Sequence, residues 1–564
     1  MLAAAPVRCR VTMSDLAPPP LPASQPSKQV EVQLGHLCNN RCVFCVSGQL
    51  TEQRRAPQLT LEPIFRQVAQ ARAQGALRIT LLGGEPTIQR GFLQVLQFAV
   101  DQDFPEIVVF TNGVMTPRET FRARIFEVLD QLGDRAKQRV IWRFSLQGGD
   151  ATSHDATTLV PGSFARILAS LQILREREAR LTGNMCVVES NYRSVPHLAA
   201  TAAQLGLENL HLDMVRPRDS GDRTDAELQA MLARYTDMAP YLLQLSQQVD
   251  QKLGPHWDLN FGNVPFCTNL AVAHRIHHDG QDTVTVAADG QGNTQEGFNK
   301  YEDKRVDKHK PAGCAGCVFI DTCSGVFDKY RQFYGDSEFV AVTAAQLWHH
   351  DTHGHHFVLV AKPRLKSLQD QGVLQLGRDD ERLGEIDVLA NGFALRLRRV
   401  GRATTRPGWH TLRAGDLAAE IVGAPAPSAQ SENQLLQLWR ALVRALDPGA
   451  AIAEPLAALR PVWRAQWQAA LARKAVAQVV DPLQKRAIAG FELTGTATDP
   501  DGSTLLQWRH GAMALQLRVR AQRDAQGVWR PALDHHADGV PALALQQFNR
   551  ELGAVLRAHA GASG

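Results

Sequence analysis

Three cysteines stand close together near the start of the chain, in Cys38-Asn-Asn-Arg-Cys42-Val-Phe-Cys45, a C-x3-C-x2-C spacing. Three thiolates on one short loop can converge on an iron–sulfur cube, for which thiolates are the usual iron ligands. Three ligands leave a fourth iron open to bind a further molecule, whereas four would close the site for electron transfer or structural support. A zinc loop and three unrelated thiols are the competing readings. Structural zinc takes a second ligand pair nearby, and no further cysteine follows here until Cys186.

A second dense group is Cys314-x2-Cys317-x5-Cys323; the others are Cys9, Cys186 and Cys267, nine in all. The count is odd, and Met1–Arg10 lacks the apolar core of a secretory signal, so the cysteines read as metal ligands in a reducing compartment rather than as disulfides. A cytoplasmic protein is expected. Cys9 reads as incidental and Cys186, between Met185 and Val187, as strand core. His349, His350, His353, His355 and His356, and again His274, His277 and His278, read as solvated residues, because no cysteine or carboxylate cluster joins them. The net charge of +4 over 564 residues argues against a dedicated nucleic-acid binder, and no run reaches the ~18 apolar residues of a membrane span.

The elements that must position these thiols alternate regularly. Strand patterns fall at Val30–Leu34, Arg78–Leu82, Glu106–Thr111, Arg139–Leu146, Asn184–Glu189 and Asn209–Val215. Helical spacing falls between them, from an expected N-cap at Thr60 through Ile64, Phe65 and Val68, and at Phe92–Val100, Phe121–Leu132, Phe164–Glu178 and Val195–Leu205. Six strands alternating with helices predict an α/β fold with a parallel sheet, which presents chemistry at the C-terminal ends of its strands. The first cysteine loop follows strand one, and Gly83-Gly84-Glu85-Pro86 follows strand two. Residues 225–253 read as helical and 260–340 as irregular. Beyond the histidines, Gly392-Phe-Ala-Leu-Arg-Leu-Arg398 resembles Ala512-Met-Ala-Leu-Gln-Leu-Arg518, and Trp409 and Trp529 share the 120-residue offset. Amphipathic helices follow each copy, the first expected to start on a Ser431–Gln434 capping box and to carry Leu435, Leu438, Trp439, Leu442 and Leu446 on one face. Two strand–strand–helix copies joined by a helical segment 455–482 are expected, against chance similarity in a Leu/Arg/Ala-rich region.

The C-x3-C-x2-C loop after strand one, with the aromatic Phe44 before its last cysteine, resembles the signature of the radical S-adenosylmethionine (SAM) superfamily. The resemblance covers about residues 29–230 and implies a partial (β/α)6 TIM-like barrel. It further implies a [4Fe–4S] cluster on Cys38, Cys42 and Cys45 whose unique iron binds SAM. Reductive cleavage of SAM would then give a 5′-deoxyadenosyl radical that abstracts hydrogen from a substrate. In the family the GGEP segment, here Gly83, Gly84, Glu85 and Pro86, binds the SAM amino group. Glycines let backbone approach a ligand, and a carboxylate suits an ammonium. Ser145 resembles the ribose-contacting position, and Gln147 is placed to share it. Asn191 and Arg216, just past strands five and six, are placed to reach the ribose or carboxylate of SAM, the alternative being solvated loop residues. Thr111-Asn112-Gly113 also recurs in the family, the alternative being a plain turn.

The C-x2-C-x5-C spacing, with Gly325, Tyr330 and Gly335 after it, resembles the auxiliary-cluster segment of SPASM and Twitch extensions. Phe327 stands where a full SPASM domain has its next cysteine, and none follows. One auxiliary [4Fe–4S] cluster is therefore expected on Cys314, Cys317 and Cys323, with Cys267 as fourth ligand by subtraction. An iron open to substrate and a structural zinc on the same four thiolates are the alternatives.

The expected divisions are a disordered arm 1–28, the barrel 29–230, the auxiliary-cluster region 231–345, a His-rich linker 346–372 and an α+β domain 373–564 with the tandem repeat. The resemblance implies a radical SAM enzyme modifying a peptide or protein; the alternatives are a small cofactor precursor as substrate and a non-catalytic iron–sulfur or zinc protein. The expected partners are that substrate and a reductant such as a flavodoxin or ferredoxin.

Overall fold

The computed structural model describes residues 29–277, 283–286, 298–381, 383–399, 411–426, 428–452, 456–484, 487–499, 502–524 and 528–562. The 1–28 arm, Cys9, His278 and Trp409 lie outside the described residues. Two compact units divide at Asp351/Thr352, within the histidine stretch.

The first unit is built on strands β1 (Gln29–Gln33), β2 (Arg78–Leu82), β3 (Glu106–Thr111), β4 (Val140–Ser145), β5 (Arg180–Val187), β6 (Asn209–Met214), β7 (Asp258–Gly262) and β8 (Ile276–His277). These eight lie side by side in chain order, all parallel, as a curled half-barrel. Strand β9 (Thr283–Val286) joins the free side of β1 in parallel, and β10 (Phe298–Asn299) pairs with β9 antiparallel; β11 (Lys308–His309) and β12 (Val326–Phe327) form a separate antiparallel pair. The sheet thus runs beyond the six expected strands, and part of 260–340 is regular. β7, Asp-Leu-Asn-Phe-Gly, escaped notice because two apolar residues are too few for a clear alternation.

Crossover helices cover the outer face. Ile64 and Val68 of Leu61–Ala73, and Phe92, Val95, Leu96 and Ala99 of Phe92–Asp101, are buried one and two turns apart, the spacing of one helix face. Thr60 is the N-cap of the first of these helices but makes no side-chain cap bond. Residues 225–253 form two helices, Asp225–Met231 and Tyr235–Leu253, the first opened by a Thr224–Glu227 capping box.

Strand alternation sorts the two faces of the sheet. On β4–β7 the outward Phe144, Met185, Leu210, Leu212, Leu259 and Phe261 are fully buried. The alternate positions, Ser145, Asn184, Cys186, His211, Asp213 and Asn260, and His277 on β8, are half-buried and line the lumen. Cys186 is therefore on the inner face rather than in the apolar core.

His154, on the helix Ala151–Thr158, lies beneath this unit and is 1% exposed. Its Nδ1 accepts from the Gln147 backbone N–H at 3.1 Å, and burial pushes its pKa down to about 4. A histidine with a depressed folded pKa stabilises fully above its unfolded value near 6.5 and loses that stability as pH falls toward 4. Urea unfolding at stepped pH should show stability dropping over that window by up to about 1.4 kcal/mol per pH unit from His154. His154→Gln should flatten the slope.

The second unit carries two antiparallel sheets. Strands β13 (Gln375–Asp380), β14 (Glu385–Ala390), β15 (Phe393–Arg399), β16 (Thr411–Ala414) and β17 (Leu417–Gly423) are ordered β13-β14-β15-β17-β16 and followed by the helix Ala429–Leu446. Strands β18 (Glu492–Thr498), β19 (Thr504–His510), β20 (Met513–Arg523) and β21 (Trp529–Asp538) lie in chain order and precede the helix Ala542–Ala562. The long helix Leu456–Leu483 falls between them. The first helix is capped one turn earlier than the sequence suggested, by Ser428 with Ser431 at N3. The stretch 346–372, within which the two units divide, is largely helical, in Ala344–His350 and Phe357–Asp370.

Candidate functional site

The loop after β1 is fixed from both ends. Leu34 N–H donates to Leu82 O (2.7 Å), Gly84 N–H to Gly35 O (2.7 Å) and Glu85 N–H to Leu37 O (2.9 Å), so the GGEP segment is zipped onto the residues leading into Cys38. Beyond Cys38, Arg41 and Val43 donate through their backbone N–H groups to Thr158 and Thr157. A Cβ on Gly84 would collide with the carbonyls of His36 and Leu37, and one on Gly83 with Gly35 O. The approach needs both glycines.

Glu85 is 1% exposed, and its carboxylate is fully engaged. Oε1 accepts from Thr87 N (3.1 Å), Thr87 Oγ1 (2.5 Å) and Thr111 Oγ1 (2.7 Å), and Oε2 from Asn112 N (2.7 Å). Burial raises its pKa against these four donors. The side chain therefore braces β2 to β3. Among the described residues no hydrogen bond ends on the carbonyls of Gly83 or Gly84, and these backbone acceptors suit an ammonium instead.

The three cysteines lie within electrostatic reach of one another. Burial pushes the Cys38 thiol up to about 12, with Glu85 and Cys45 adding to the shift. Cys42 is driven well above its ordinary value by burial and then by Cys45 and Cys38. Thiols so disfavoured as anions call for a cation to ionise them. Polar atoms of the loop wait alongside. Val114 N–H donates to Asn112 Oδ1, turning Asn112 Nδ2 toward Asn39 Oδ1 (2.7 Å). That leaves Asn39 Nδ2 buried with no partner, as is Asn40 Oδ1. Three half-buried thiols with an unspent N–H donor fit an iron–sulfur core and its sulfides. Thr111-Asn112-Gly113, for which a plain turn was the alternative, ties the GGEP brace to the cysteine loop.

Ser145 and Gln147 lie at the end of β4, Gln147 Nε2 donating to Ser145 Oγ at 2.5 Å while its Oε1 accepts from Cys186 N at 3.0 Å. Asn191, 1% exposed, donates to Gln147 O and Cys186 O and accepts from Val188 N. Its amide staples the ends of β4 and β5. Arg216 is spent: it meets Asp307 at 2.9–3.1 Å, Asp303 Oδ2 at 2.6 Å and Asp219 at 3.4 Å. Burial opposes its charge, but Asp307 and Asp303 outweigh that and raise its pKa. The sequence reading gave it a ligand carboxylate; its carboxylates are internal. Arg223, which sequence reasoning passed over, has its guanidinium within electrostatic reach of Cys45. No motif marks it.

Cys267, Cys314, Cys317 and Cys323 line one cavity. Pro265, Phe266, Phe319, Val326 and Phe339 supply apolar walls, with Phe266 and Phe319 stacked at 4.1 Å. Burial and then Cys323 push Cys267 up to about 12. Val342 N–H donates to Cys317 Sγ at 3.3 Å. Gly325, at φ +90°, has no room for a Cβ against His309 O. One zinc ion would draw four sulfurs to within about 4 Å of each other. Among the described residues no group of three His, Cys, Asp or Glu side chains is placed to hold a single metal ion. The histidines of 349–356 likewise form no such group.

Residues 32–202 match the Radical SAM superfamily; this segment is a radical SAM domain. Among curated relatives the chain is 27% identical over 189 residues to the AdoMet-dependent heme synthase of Methanosarcina barkeri (33% of this chain, 50% of that one). It is 26% identical over 220 residues to a GTP 3′,8-cyclase of Marinobacter nauticus (37% and 63%). It is 27% identical over 175 residues to the sporulation killing factor maturation protein SkfB of Bacillus subtilis (31% and 39%). The chain thus matches between about two fifths and two thirds of each relative's length.

The site predicts a sharp effect for Gly84→Ala. The added methyl must push the 35–37 backbone and the GGEP carbonyls apart, an overpacking of about 1–3 kcal/mol. Iron content should hold while SAM affinity, read by equilibrium titration, falls more than about tenfold, or ~1.4 kcal/mol.

Proposed function

We propose that the chain is a radical SAM enzyme with one auxiliary [4Fe–4S] cluster, and that its substrate is a peptide or protein. The observation that carries the reading is the joint between the Cys38–Cys45 loop and the GGEP segment, two strands' worth of backbone locked around an unspent set of thiols and carbonyls. In this reading Cys38, Cys42 and Cys45 hold the SAM-binding cluster. The Gly83 and Gly84 carbonyls take the SAM ammonium, Ser145 and Gln147 the ribose, and Arg223 the carboxylate. Asn191 and Arg216 act as braces. When bound, the cluster supplies the electron that cleaves SAM to a 5′-deoxyadenosyl radical.

Cys267, Cys314, Cys317 and Cys323 hold the auxiliary cluster in a cavity whose apolar walls exclude water. The whole has the form of a SPASM/Twitch-like extension, and a flavodoxin or ferredoxin supplies the electron. Among described residues no single helix is long and apolar enough to cross a membrane; a cytoplasmic enzyme is consistent with that. A peptide substrate is favoured by the extension and by the likeness to a peptide maturation protein. A small cofactor precursor is the second reading, favoured by the likeness to the heme synthase and the cyclase. Reconstituted, reduced protein should convert SAM to 5′-deoxyadenosine, and deuterium from labelled peptide pools or labelled small-molecule extracts should enter that product. Label from the peptides supports the first reading, label from the small molecules only supports the second, and no SAM cleavage defeats both.

A further inference from the structure

Lys308, on β11, is a buried cation, 9% exposed, and Phe327 on β12 is its partner across the strand pair. Its Nζ donates to Asn263 Oδ1 at 2.7 Å and to Ser324 Oγ at 2.9 Å, and lies 4.8 Å from the centroid of the Phe327 ring. Among the described residues none of these contacts is a carboxylate. The buried arginines of the same unit are paired directly: Arg216 with Asp303 and Asp307, and Arg275 with Asp250 at 2.5 Å. Two neutral oxygens and an aromatic face return only part of the hydration that a buried ammonium gives up. Burial, and then Lys304, accordingly push the Lys308 pKa down to about 8, against Asp213, Cys323 and Asp307.

The fold aims this charge at the auxiliary cavity. Ser324 directly follows Cys323 in the chain. Gly325, which lines the cavity, packs so tightly on His309 that a Cβ would strike its carbonyl, so β11 is pressed against the cysteine loop. From the other side Asn263 Nδ2 donates to Asp213 Oδ1 at 2.7 Å, which turns Asn263 Oδ1 to the ammonium. Burial raises the Cys323 thiol, and Lys308 opposes that rise together with the backbone N–H groups of Gly325 and Phe266.

The four cysteines beside Lys308 suit its charge. Four thiolates outweigh the charge of a [4Fe–4S] core, so the ligated cluster is an anion, and one electron from the reductant makes it more so. Net charge, hydrogen bonds and solvent exposure set the potential of such a cluster. A fixed cation nearby, in a setting of low dielectric, favours the reduced state.

Resting on the auxiliary-cluster reading, we propose that Lys308 acts through that cluster: its charge, held in place by Asn263 and Ser324, raises the cluster's affinity for an electron.

The test is a redox titration, followed by electron paramagnetic resonance, of full-length protein reconstituted with both clusters. The SAM-domain cluster is told apart by its response to SAM. Lys308→Met removes the charge at similar length, Lys308→Gln removes it but keeps a hydrogen-bond donor, and Lys308→Arg keeps it. Both neutral variants should weaken the auxiliary cluster's hold on its electron at least tenfold, a fall of about 59 mV for a one-electron couple. Lys308→Arg should stay near the unsubstituted protein, and the SAM-sensitive signal should not move. An unchanged auxiliary potential in either neutral variant, the same fall in Lys308→Arg, or an equal shift of the SAM-sensitive cluster overturns the proposal. So does loss of the auxiliary iron from both neutral variants, which makes Lys308 a support of the cavity instead. Unsubstituted protein that takes up no iron at Cys267, Cys314, Cys317 and Cys323 loses the auxiliary-cluster reading itself, whereas iron retained at an unmoved potential removes only the role of Lys308.

Discussion

Cys42→Ala is expected to abolish formation of 5′-deoxyadenosine from SAM, by more than about the hundredfold that even outer-shell changes at metal sites can cost. Cys42 is one of three half-buried thiols that interact with one another, and Cys186, the next thiol, lies on β5 with its own charge disfavoured by burial, Asp213, Cys45 and Cys42. Iron should fall by about four atoms per chain, one cubane, while the auxiliary site keeps its own. A parallel fall to zero iron would mean that the two groups of cysteines do not hold separate clusters.

The second large effect is expected at Cys267. Changed to alanine, it should cost the auxiliary cluster, seen as loss of about four irons with the SAM-binding cluster intact. The basis is its place in the cavity wall with Cys314, Cys317 and Cys323, and its raised thiol pKa, which burial and then Cys323 produce. Full iron retention in Cys267→Ala would make the auxiliary site a three-cysteine one with an open iron. Zinc in place of iron, in a variant that also lacks Cys38, Cys42 and Cys45, would make it structural.

Much of this was legible in the sequence, for physical reasons. The parallel sheet showed because buried strands and crossover helices impose different apolar periods, and β1 to β6 carry enough apolar residues to display theirs. The cysteine spacing was legible because ligands on one loop must be close in sequence to be close in space. Cys267 was reachable only by counting, since it sits 47 residues before Cys314.

Side-chain roles set by tertiary contacts were not legible. Glu85 reads as a ligand for an ammonium until Thr87, Thr111 and Asn112 are seen to consume it. Arg216 reads as a free cation until Asp303 and Asp307 close on it from another element. Cys186 reads as core because its neighbours are apolar, yet strand alternation turns it inward to a polar lumen. The histidine stretch reads as a linker because its composition is polar, although the Thr343–Gln346 capping box that opens its first helix was available in the sequence.

Low-temperature electron paramagnetic resonance of the reduced protein, with and without SAM, reaches the open metal corner directly. The arrangement of Cys38, Cys42 and Cys45 predicts a reduced-cluster signal that changes when SAM is added, and loss of that SAM-sensitive component when all three are alanine. A folded, anaerobically prepared protein that shows no such signal, or one indifferent to SAM, would contradict it.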